Sequence, residues 1–418
     1  MICLIEALNY RCLKYIHQPL DSFHVLVGPN ASGKTTFLDV VAFLSQFVSE
    51  GPEEAIKTRT NDFRDLVCGR TGNKFELAIE VVIPENLRKK LSDQNCGVVR
   101  YEIALGTEDS AEVSILGERV LLQPRAPLTA PQIRPLFPAQ DMPPETLQIP
   151  RKSGVRPIVK KVPGGNDNFY SEVSDKPGKG WAPSFKLGPR KSALKNLPED
   201  ESRFPVSTWL KRFLTDGVQQ FVLNSMAIRR ASPPGQMRSL KPDGSNLPWV
   251  IKGFKKKDPD RFADWLSHLK TALPDITDIC IVERPDDRHR YLILCYHNQL
   301  EIPSWMASDG TLRLLALTLP AYLSGFEGSY LIEEPENGIH PKAVETMFQS
   351  LSSVYSAQIF MATHSPVILG LARADHILCF AKTEEGSTDI VAGSEHPSLK
   401  DWRGEVNLGT LFAGGVLG

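Results

Sequence analysis

A glycine-rich segment near the start of the chain has the residue types needed to hold a triphosphate. Residues 28–35 read Gly-Pro-Asn-Ala-Ser-Gly-Lys-Thr and fit the pattern G-x-x-x-x-G-K-[ST]. Backbone N–H groups must wrap the phosphate oxygens, and Gly28 and Gly33 stand where a Cβ would obstruct them. Lys34 would place its charge on the β- and γ-phosphates, and Thr35 would offer a hydroxyl to Mg²⁺. The residues expected to contact the ligand are Gly28, Pro29, Asn30, Ala31, Ser32, Gly33, Lys34, Thr35 and Thr36.

Two acids and a histidine each follow an apolar run late in the chain. Residues 330–334 read Tyr-Leu-Ile-Glu-Glu, so that Glu333 and Glu334 end a strand-like segment. In this position Glu333 would hold the metal and Glu334 would polarise an attacking water. His364 ends a second run, and strand C-termini in an α/β sheet face the ligand crevice. His364 could therefore contact the γ-phosphate, although a lone histidine is more often structural.

Two further residues have both a structural and a functional interpretation. Ser308 precedes an apolar segment, Leu312 to Leu323, and is a good helix N-cap. Alternatively, Ser308 and the helix N-terminus, including Gly310, present an anion site to a second nucleotide. Arg11 lies between two N-terminal strand-like runs, where it could approach the adenine or the phosphates, or be a surface arginine.

The elements around these residues can be predicted from hydrophobic periodicity. Phe23 to Val27 is typical of a buried parallel strand, and a helix after the glycine-rich loop is indicated by Phe37, Leu38, Val41, Leu44 and Val48. Three alternating runs predict a small, half-exposed antiparallel sheet beside the nucleotide core, with Glu76 and Glu80 on its polar face. These runs are Phe75–Ile83, Val98–Leu105 and Glu112–Leu122.

Residues 123–205 change in composition and predict an insertion with little regular structure. Ten prolines fall between Pro124 and Pro163, and residues 151–196 carry eleven Lys/Arg against three Asp/Glu. Aromatic side chains are interspersed, among them Trp181. Contact with nucleic-acid phosphates or an acidic partner is one interpretation. A solvated linker that packs on its own domain is the other.

Globular patterning resumes after residue 205, with a predicted helix at Ser207–Thr215 and a strand at Gln220–Asn224. Asp258-Pro259-Asp260 resembles half of a metal-nuclease motif, but acids and proline at that place favour a helix start near Arg261.

We divide the chain into 1–122, the N-terminal part of a nucleotide-binding head; 123–205, the insertion; 206–300, a helical and strand lobe; and 301–418, the C-terminal part of the head.

The composition is that of an ordinary globular protein. The chain has 418 residues, is 41% hydrophobic and 23% charged, and has a formal net charge of −1. Its seven cysteines form no C-x-x-C pair, as expected for a reducing cytoplasm without a zinc site. We expect no signal peptide and no membrane association, because the longest apolar run, Leu312 to Phe326, falls short of the roughly 20 residues that a span needs.

Four motifs in order carry a family resemblance: Gly-Pro-Asn-Ala-Ser-Gly-Lys-Thr, Ser-Asp-Gly-Thr, Leu-Ile-Glu-Glu-Pro-Glu-Asn-Gly-Ile-His-Pro and Ala-Thr-His-Ser-Pro. Together they resemble the ABC-type ATPases of the RecF/SMC/OLD-like group, often described as AAA-family ATPases, over roughly residues 1–114 and 216–395. The resemblance implies an α/β fold: a P-loop NTPase head with a mixed sheet, an antiparallel side sheet, a helical signature lobe and the Pro/Lys-rich insertion.

The same resemblance implies roles for individual residues. Residues 308–311 would be the signature motif, acting across a head-to-tail dimer. Glu333 would be the Walker B acid, Glu334 the catalytic base, and His364 the switch histidine. Asn337-Gly338 would occupy the D-loop position, and Asn9-Tyr10-Arg11 looks like the segment that reaches the nucleotide. No glutamine can be assigned to the Q-loop.

The implied activity is Mg²⁺-dependent ATP binding and hydrolysis, used as a switch by a homodimer or higher oligomer. Stand-alone proteins of this kind resemble the ATPases of prokaryotic anti-phage systems, which work with a separately encoded effector, often a nuclease. We expect no nuclease domain of the OLD type after His364, because only 54 residues follow it in this sequence. Two alternatives are a RecF-like ATPase that clamps DNA and the energising subunit of a membrane transporter, and the Ser-Asp-Gly-Thr signature weighs against the second.

Overall fold

The apolar runs of the chain form strands in three sheets. The computed structural model describes residues 1–107, 112–126, 132–139, 142–150, 153–173, 183–237, 239–399 and 407–415. The strands are β1 Ile2–Tyr10, β2 Leu13–Pro19, β3 Phe23–Val27, β4 Lys74–Val82, β5 Cys96–Thr107, β6 Val113–Pro124, β7 Arg156–Lys161, β8 Asp167–Phe169, β9 Ser184–Phe185, β10 Val218–Phe221, β11 Ile276–Glu283, β12 Arg290–Tyr296, β13 Glu301–Pro303, β14 Ser329–Glu333, β15 Gln358–Ala362, β16 Ile377–Lys382 and β17 Thr388–Ala392.

Helices connect and cover these sheets. They are α1 Lys34–Ser49, α2 Pro52–Lys57, α3 Glu85–Arg88, α4 Pro205–Asp216, α5 Ser225–Arg229, α6 Leu247–Lys257, α7 Pro259–Leu269, α8 Asp309–Thr318, α9 Pro341–Ser352, α10 Pro366–Leu371 and α11 Leu408–Ala413. The predicted caps are confirmed: the Ser308 side chain accepts from Thr311 N and the Asp258 side chain from Arg261 N. Within the described residues, no helix combines the length and apolar character that crossing a bilayer demands.

The six-stranded sheet positions the predicted site. Its order is β10-β14-β15-β3-β16-β17, parallel except for β17, which pairs antiparallel with β16. The predicted strand Phe23–Val27 is confirmed as β3 and is buried at every residue. Because β3, β14 and β15 are parallel neighbours, the segments that follow them meet at the same edge of the sheet.

The second sheet is antiparallel and larger than we expected. Its order is β2-β1-β4-β5-β6-β7-β8-β9, and it contains the three predicted runs as β4, β5 and β6. The expectation that its polar face is exposed is wrong. Glu76 is only 2% exposed, because the segment around Thr146 and Leu147 covers it. Its buried carboxylate accepts hydrogen bonds from Thr146 Oγ1 and Leu147 N, each at 2.7 Å. Arg100 is buried on the same face and pairs with Glu80 and Glu102.

The expectation of little regular structure in residues 123–205 is wrong for the described part of that segment. β7, β8 and β9 extend the antiparallel sheet, and Phe169 and Leu194 are fully buried in the core. The proposed boundary after residue 122 also falls inside β6. Residues 151–152 and 174–182, which include Trp181 and four of the basic residues, lie outside the described residues.

Helix α1 lies between the two large sheets. Phe37, Phe43 and Phe47 of α1 are fully buried in the cluster that also contains Phe75 of β4 and Phe360 of β15. The other face of the six-stranded sheet packs against α8 and α9, and α6, α7 and the small sheet β11-β12-β13 complete that second cluster. The P-loop helix is therefore held from both sides by apolar surface.

A buried carboxylate anchors the end of the insertion to β6. Glu118 is fully buried and accepts from Tyr101 OH, Ser192 Oγ and the N–H groups of Ala193 and Leu194, at 2.6–3.0 Å. We expect Glu118→Ala to lower the free energy of unfolding by about 4 kcal/mol, because several buried donors lose their acceptor. Denaturant unfolding followed by circular dichroism measures the loss.

The matched control is Glu112→Ala, one residue before β6. Glu112 is exposed and pairs with Arg190, so its removal should cost at most about 1 kcal/mol. Equal losses for the two variants would contradict the anchoring role of Glu118.

A buried histidine makes the stability depend on pH. Burial, and then the neighbouring His376, lower the pKa of His24 to about 4. Because the unfolded chain takes up the proton near pH 6.5, the free energy of unfolding should fall by up to about 3 kcal/mol as the pH drops from 6.5 to 4. In His24→Leu this part of the acid dependence should disappear. If the free energy of unfolding falls equally with pH in the wild type and in His24→Leu, His24 is not the source of this pH dependence.

Candidate functional site

The glycine-rich loop follows β3 directly and turns into α1. Gly33 has a φ of 105°, a left-handed conformation that only glycine adopts without strain, and α1 begins at Lys34. The first N–H groups of α1 have no carbonyl partner one turn earlier in the helix, and together with the helix dipole they favour an anion at this end. The local sequence thus builds a phosphate-binding loop in the predicted strand–loop–helix context.

Lys34 is buried over its own loop. Its Nζ donates to Gly28 O at 2.8 Å and Pro29 O at 2.9 Å. Burial lowers the pKa of Lys34 to about 8, while the negative charges of Glu334 and Glu333 act in the opposite direction. An incoming anion would restore the charged form of Lys34 for the same electrostatic reason.

Thr35 and Glu333 bring hard oxygen ligands together from the loop and the end of β14. Thr35 Oγ1 donates to Glu333 Oε2 at 2.5 Å. A hydroxyl and a carboxylate in contact at a phosphate-binding loop are the donors that Mg²⁺ takes from proteins alongside phosphate oxygens. The residues present therefore fit the metal that the resemblance implies.

Glu334 leaves the strand in a constrained conformation. Its φ is 45°, unusual for a residue with a side chain, and its N–H donates to Ala362 O at 2.8 Å. Its carboxylate accepts a hydrogen bond from Asn337 Nδ2. The side chain is thus aimed by the turn that follows β14 and not by the strand itself.

His364 lies just past the end of β15, beside β14 and β3. Burial, and then the positive charge of Lys34, lower the pKa of His364, while Glu334 and Glu336 oppose this shift. The ring is therefore held in its neutral form near pH 7, in which one nitrogen donates and the other accepts.

A single cleft of about 480 Å³ collects these residues. Of the predicted site residues, Arg11, Glu333, Glu334 and His364 line it with most of the loop: Asn30, Ala31, Ser32, Gly33, Lys34, Thr35 and Thr36. Gly28 and Pro29 supply the carbonyls under Lys34. Arg11 reaches the cleft from a left-handed backbone (φ 52°) and is tied to Asp39 of α1 at 3.2 Å.

Three polar or flexible positions in the cleft were not predicted from the sequence. Lys382 and Gly386 come from the β16–β17 hairpin, and Cys12 donates its thiol proton to Thr36 Oγ1 at 3.3 Å. The apolar run of β16 could have indicated a strand, but nothing local indicates that it lies beside the loop. A neighbouring cavity of about 420 Å³ is lined by Gln220 together with Glu333 and Glu334.

Ser308 and Gly310 are the predicted residues that the structure does not bring into this cleft. Ser308 caps α8 on the surface, where Arg229 donates to Ala307 O and pairs with Asp309. A Cβ on Gly310 would lie 2.3 Å from Gly338 O, so the start of α8 is pressed against the turn after β14. Ser308 is exposed and lies near the turn that follows β14.

The basic insertion offers less free charge than its composition indicates. Lys161 is buried and pairs with Asp167 at 3.0 Å. Arg190 pairs with Glu112, and Lys195 donates to Glu50 O. These three side chains contact other parts of the fold, and no observation in the described residues favours a nucleic-acid interface.

The solved structures of similar fold include head domains of SMC proteins. An SMC head bound to the C-winged helix domain of ScpA matches with a TM-score of 0.50 and 15% identity, over 93% of this chain and 97% of that one. The Smc head domain of Pyrococcus furiosus, with an extended coiled coil and bound to the C-terminal domain of ScpA, matches with a TM-score of 0.48 and 13% identity, over 93% and 95%. No curated protein sequence matches the chain. At 15% identity the likeness to the first of these heads concerns the fold alone, and it confirms the predicted mixed α/β fold of a P-loop NTPase head.

A family model matches residues 23–370, from the first residue of β3 to α10. The match includes the phosphate-binding loop, both acids and His364, and so spans the whole cleft except its N-terminal rim and the β16–β17 hairpin. By this match the chain belongs to the AAA-domain family described as "AAA domain, putative AbiEii toxin, Type IV TA system".

Proposed function

We propose that the protein binds and hydrolyses ATP with Mg²⁺ and uses the cycle as a conformational switch. The observation that carries this proposal is the cleft itself, where Lys34, Thr35 and Glu333 meet Glu334 and His364 from three adjacent strand ends. Family membership and the ATPase-head fold support a nucleotide as the ligand.

Each residue has a role that follows from its contacts. Lys34 and the loop N–H groups bind and orient the β- and γ-phosphates. Thr35 and Glu333 would hold Mg²⁺, which when bound neutralises phosphate charge. Glu334, aimed by Asn337, accepts a proton from the attacking water. His364, neutral at pH 7, orients that water or the γ-phosphate through a ring nitrogen.

We further propose that two copies associate head to tail when ATP is bound. Ser308 and the N-terminus of α8 form an exposed anion-binding end that lies outside the described lining of the chain's own cleft. A second copy could place this end over the γ-phosphate, so that each nucleotide would join two subunits. A closed two-fold dimer uses both surfaces of both copies.

For the biological role we propose that the switch regulates a separately encoded effector, a nuclease, in cytoplasmic anti-phage defence. The family description names a toxin of a type IV toxin–antitoxin system, which is in keeping with a partner-dependent activity. All seven cysteines carry free thiols, as a reducing compartment would leave them.

Lys34→Ala tests nucleotide binding. It removes the charge from the loop, and we expect ATP affinity to fall by about 100-fold, since hydrogen bonds to charged groups contribute about 1.5–3 kcal/mol. Isothermal calorimetry with ATP and Mg²⁺ measures it. Lys57→Ala, an exposed lysine on α2, is the matched control and should bind as the wild type does. Unchanged affinity in Lys34→Ala would refute the site.

Glu334→Gln tests the base and the dimer together. It keeps the shape and an acceptor for Asn337 but cannot take a proton, so we expect ATP to bind while hydrolysis falls by about 10²- to 10⁴-fold. The trapped ATP should hold two heads together by mass action. Light scattering with ATP should then report a dimer for Glu334→Gln.

Two second-site variants separate the anion site from the helix cap. Adding Ser308→Arg places a bulky side chain where the phosphate must approach, and Ser308→Asp keeps the cap but repels phosphate. Both double variants should return to the monomer mass. If all proteins report one mass, ATP does not control assembly through these residues.

A further inference from the structure

The Glu336 side chain joins the turns that follow two neighbouring strands. It lies on the turn after β14, and its Oε1 accepts from Thr363 Oγ1 at 2.6 Å and from His364 N at 3.1 Å. Both donors follow β15. A carboxylate that accepts from a hydroxyl and a backbone N–H holds that backbone at a fixed distance.

Strand pairing does not reach His364. The β15 ladder ends at Ala362, and Thr363 N still donates to Leu26 O of β3 at 3.1 Å. Ser365, the residue after His364, donates its N–H to Thr363 Oγ1 at 2.9 Å. The backbone at His364 is thus held by a side-chain network centred on Thr363 and Glu336.

The second oxygen of the same carboxylate indicates a constrained position. Glu336 Oε2 is buried and has no hydrogen-bond partner in the described residues. An unpaired buried acceptor costs stability, so this position of the carboxylate is held by the two hydrogen bonds that Oε1 accepts.

The turn that carries Glu336 also carries the proposed base. Asn337 donates to the Glu334 carboxylate, and Ile339 N closes the turn onto Glu336 O at 2.9 Å. The start of α8 presses on Gly338 of this turn through Gly310. One short segment therefore sets Glu334 directly and His364 through Glu336.

We propose that Glu336 is a positioning residue that fixes His364 in the cleft and thereby sets the rate of the hydrolytic step. This inference rests on the proposed ATPase function. In that function Glu336 would touch neither the nucleotide nor the attacking water. It would act by holding the backbone of His364.

A double-mutant cycle of Glu336→Ala and His364→Ala tests the inference. Because a displacement of about 1 Å costs up to roughly 100-fold in rate, Glu336→Ala should lower kcat by about 10- to 100-fold with ATP affinity unchanged. Glu336→Gln keeps an oxygen for both donors and should retain most of kcat. In the His364→Ala background, Glu336→Ala should have almost no further effect, because residues that act as one unit are not additive.

Glu345→Ala on the exposed side of α9 is the control for charge removal and should behave as the wild type. If the losses of kcat from Glu336→Ala and His364→Ala multiply in the double variant, the inference is wrong, while the proposed ATPase function still stands. Equal losses of kcat in Glu336→Ala and Glu336→Gln would have the same meaning.

A wild type that hydrolyses no ATP would instead refute the proposed function. The histidine ring NMR signal assigned by His364→Gln would then decide the positioning by itself. Because Glu336→Ala and Glu336→Gln both remove the negative charge that acts on the ring, a larger shift or a split signal in Glu336→Ala than in Glu336→Gln would support it. A signal left unchanged, or shifted equally by both substitutions, would refute it.

Discussion

The close approach of the β16–β17 hairpin to the phosphate-binding loop is the constraint on which the site depends. A Cβ at Gly28 would lie 2.2 Å from Phe380 O, and one at Gly33 would lie 2.3 Å from Thr388 Oγ1. Thr388 uses this space to donate to Ser32 O at 2.9 Å, while its N–H donates to Cys12 O. The loop is thus fixed between its own strand and a hairpin from the far end of the chain. The start of α1 and the walls of the cleft take their positions from this contact.

The elements that could be predicted are those whose pattern is local. A buried parallel strand reads as a continuous apolar run, which is why β3, β14 and β15 were found. Ser308 and Asp258 were found as caps because capping needs only the next few residues. The buried charges of the antiparallel sheet could not be found in this way. Alternation shows that Glu76 is on the face opposite Phe75, but the segment that covers it comes 70 residues later.

The residues of the candidate site also fall into those with a local motif and those placed by tertiary contacts. The loop, the two acids and His364 belong to short motifs, so their types and order already indicated the chemistry. Lys382, Gly386 and Cys12 enter the cleft through tertiary contacts with no motif of their own. Glu336 stands inside a motif, yet its contact with His364 N depends on the register between β14 and β15, which the sequence does not display.

The position of the turn after β14 explains how such a site could act as a switch. On one side the turn aims Glu334 and, through Glu336, His364; on the other it is pressed by the start of α8. In the proposed dimer, that start of α8 would contact the nucleotide of the second copy. A shift at Ser308 would then move the turn and, with it, Glu334 and His364, the proposed base and the proposed water-orienting residue of the same cleft. Such coupling requires that the nucleotide favour one position of the turn over the other. The backbones of Gly310 and Gly338 approach so closely that no Cβ would fit between them, so a displacement of the start of α8 toward the turn would be transmitted directly to the turn.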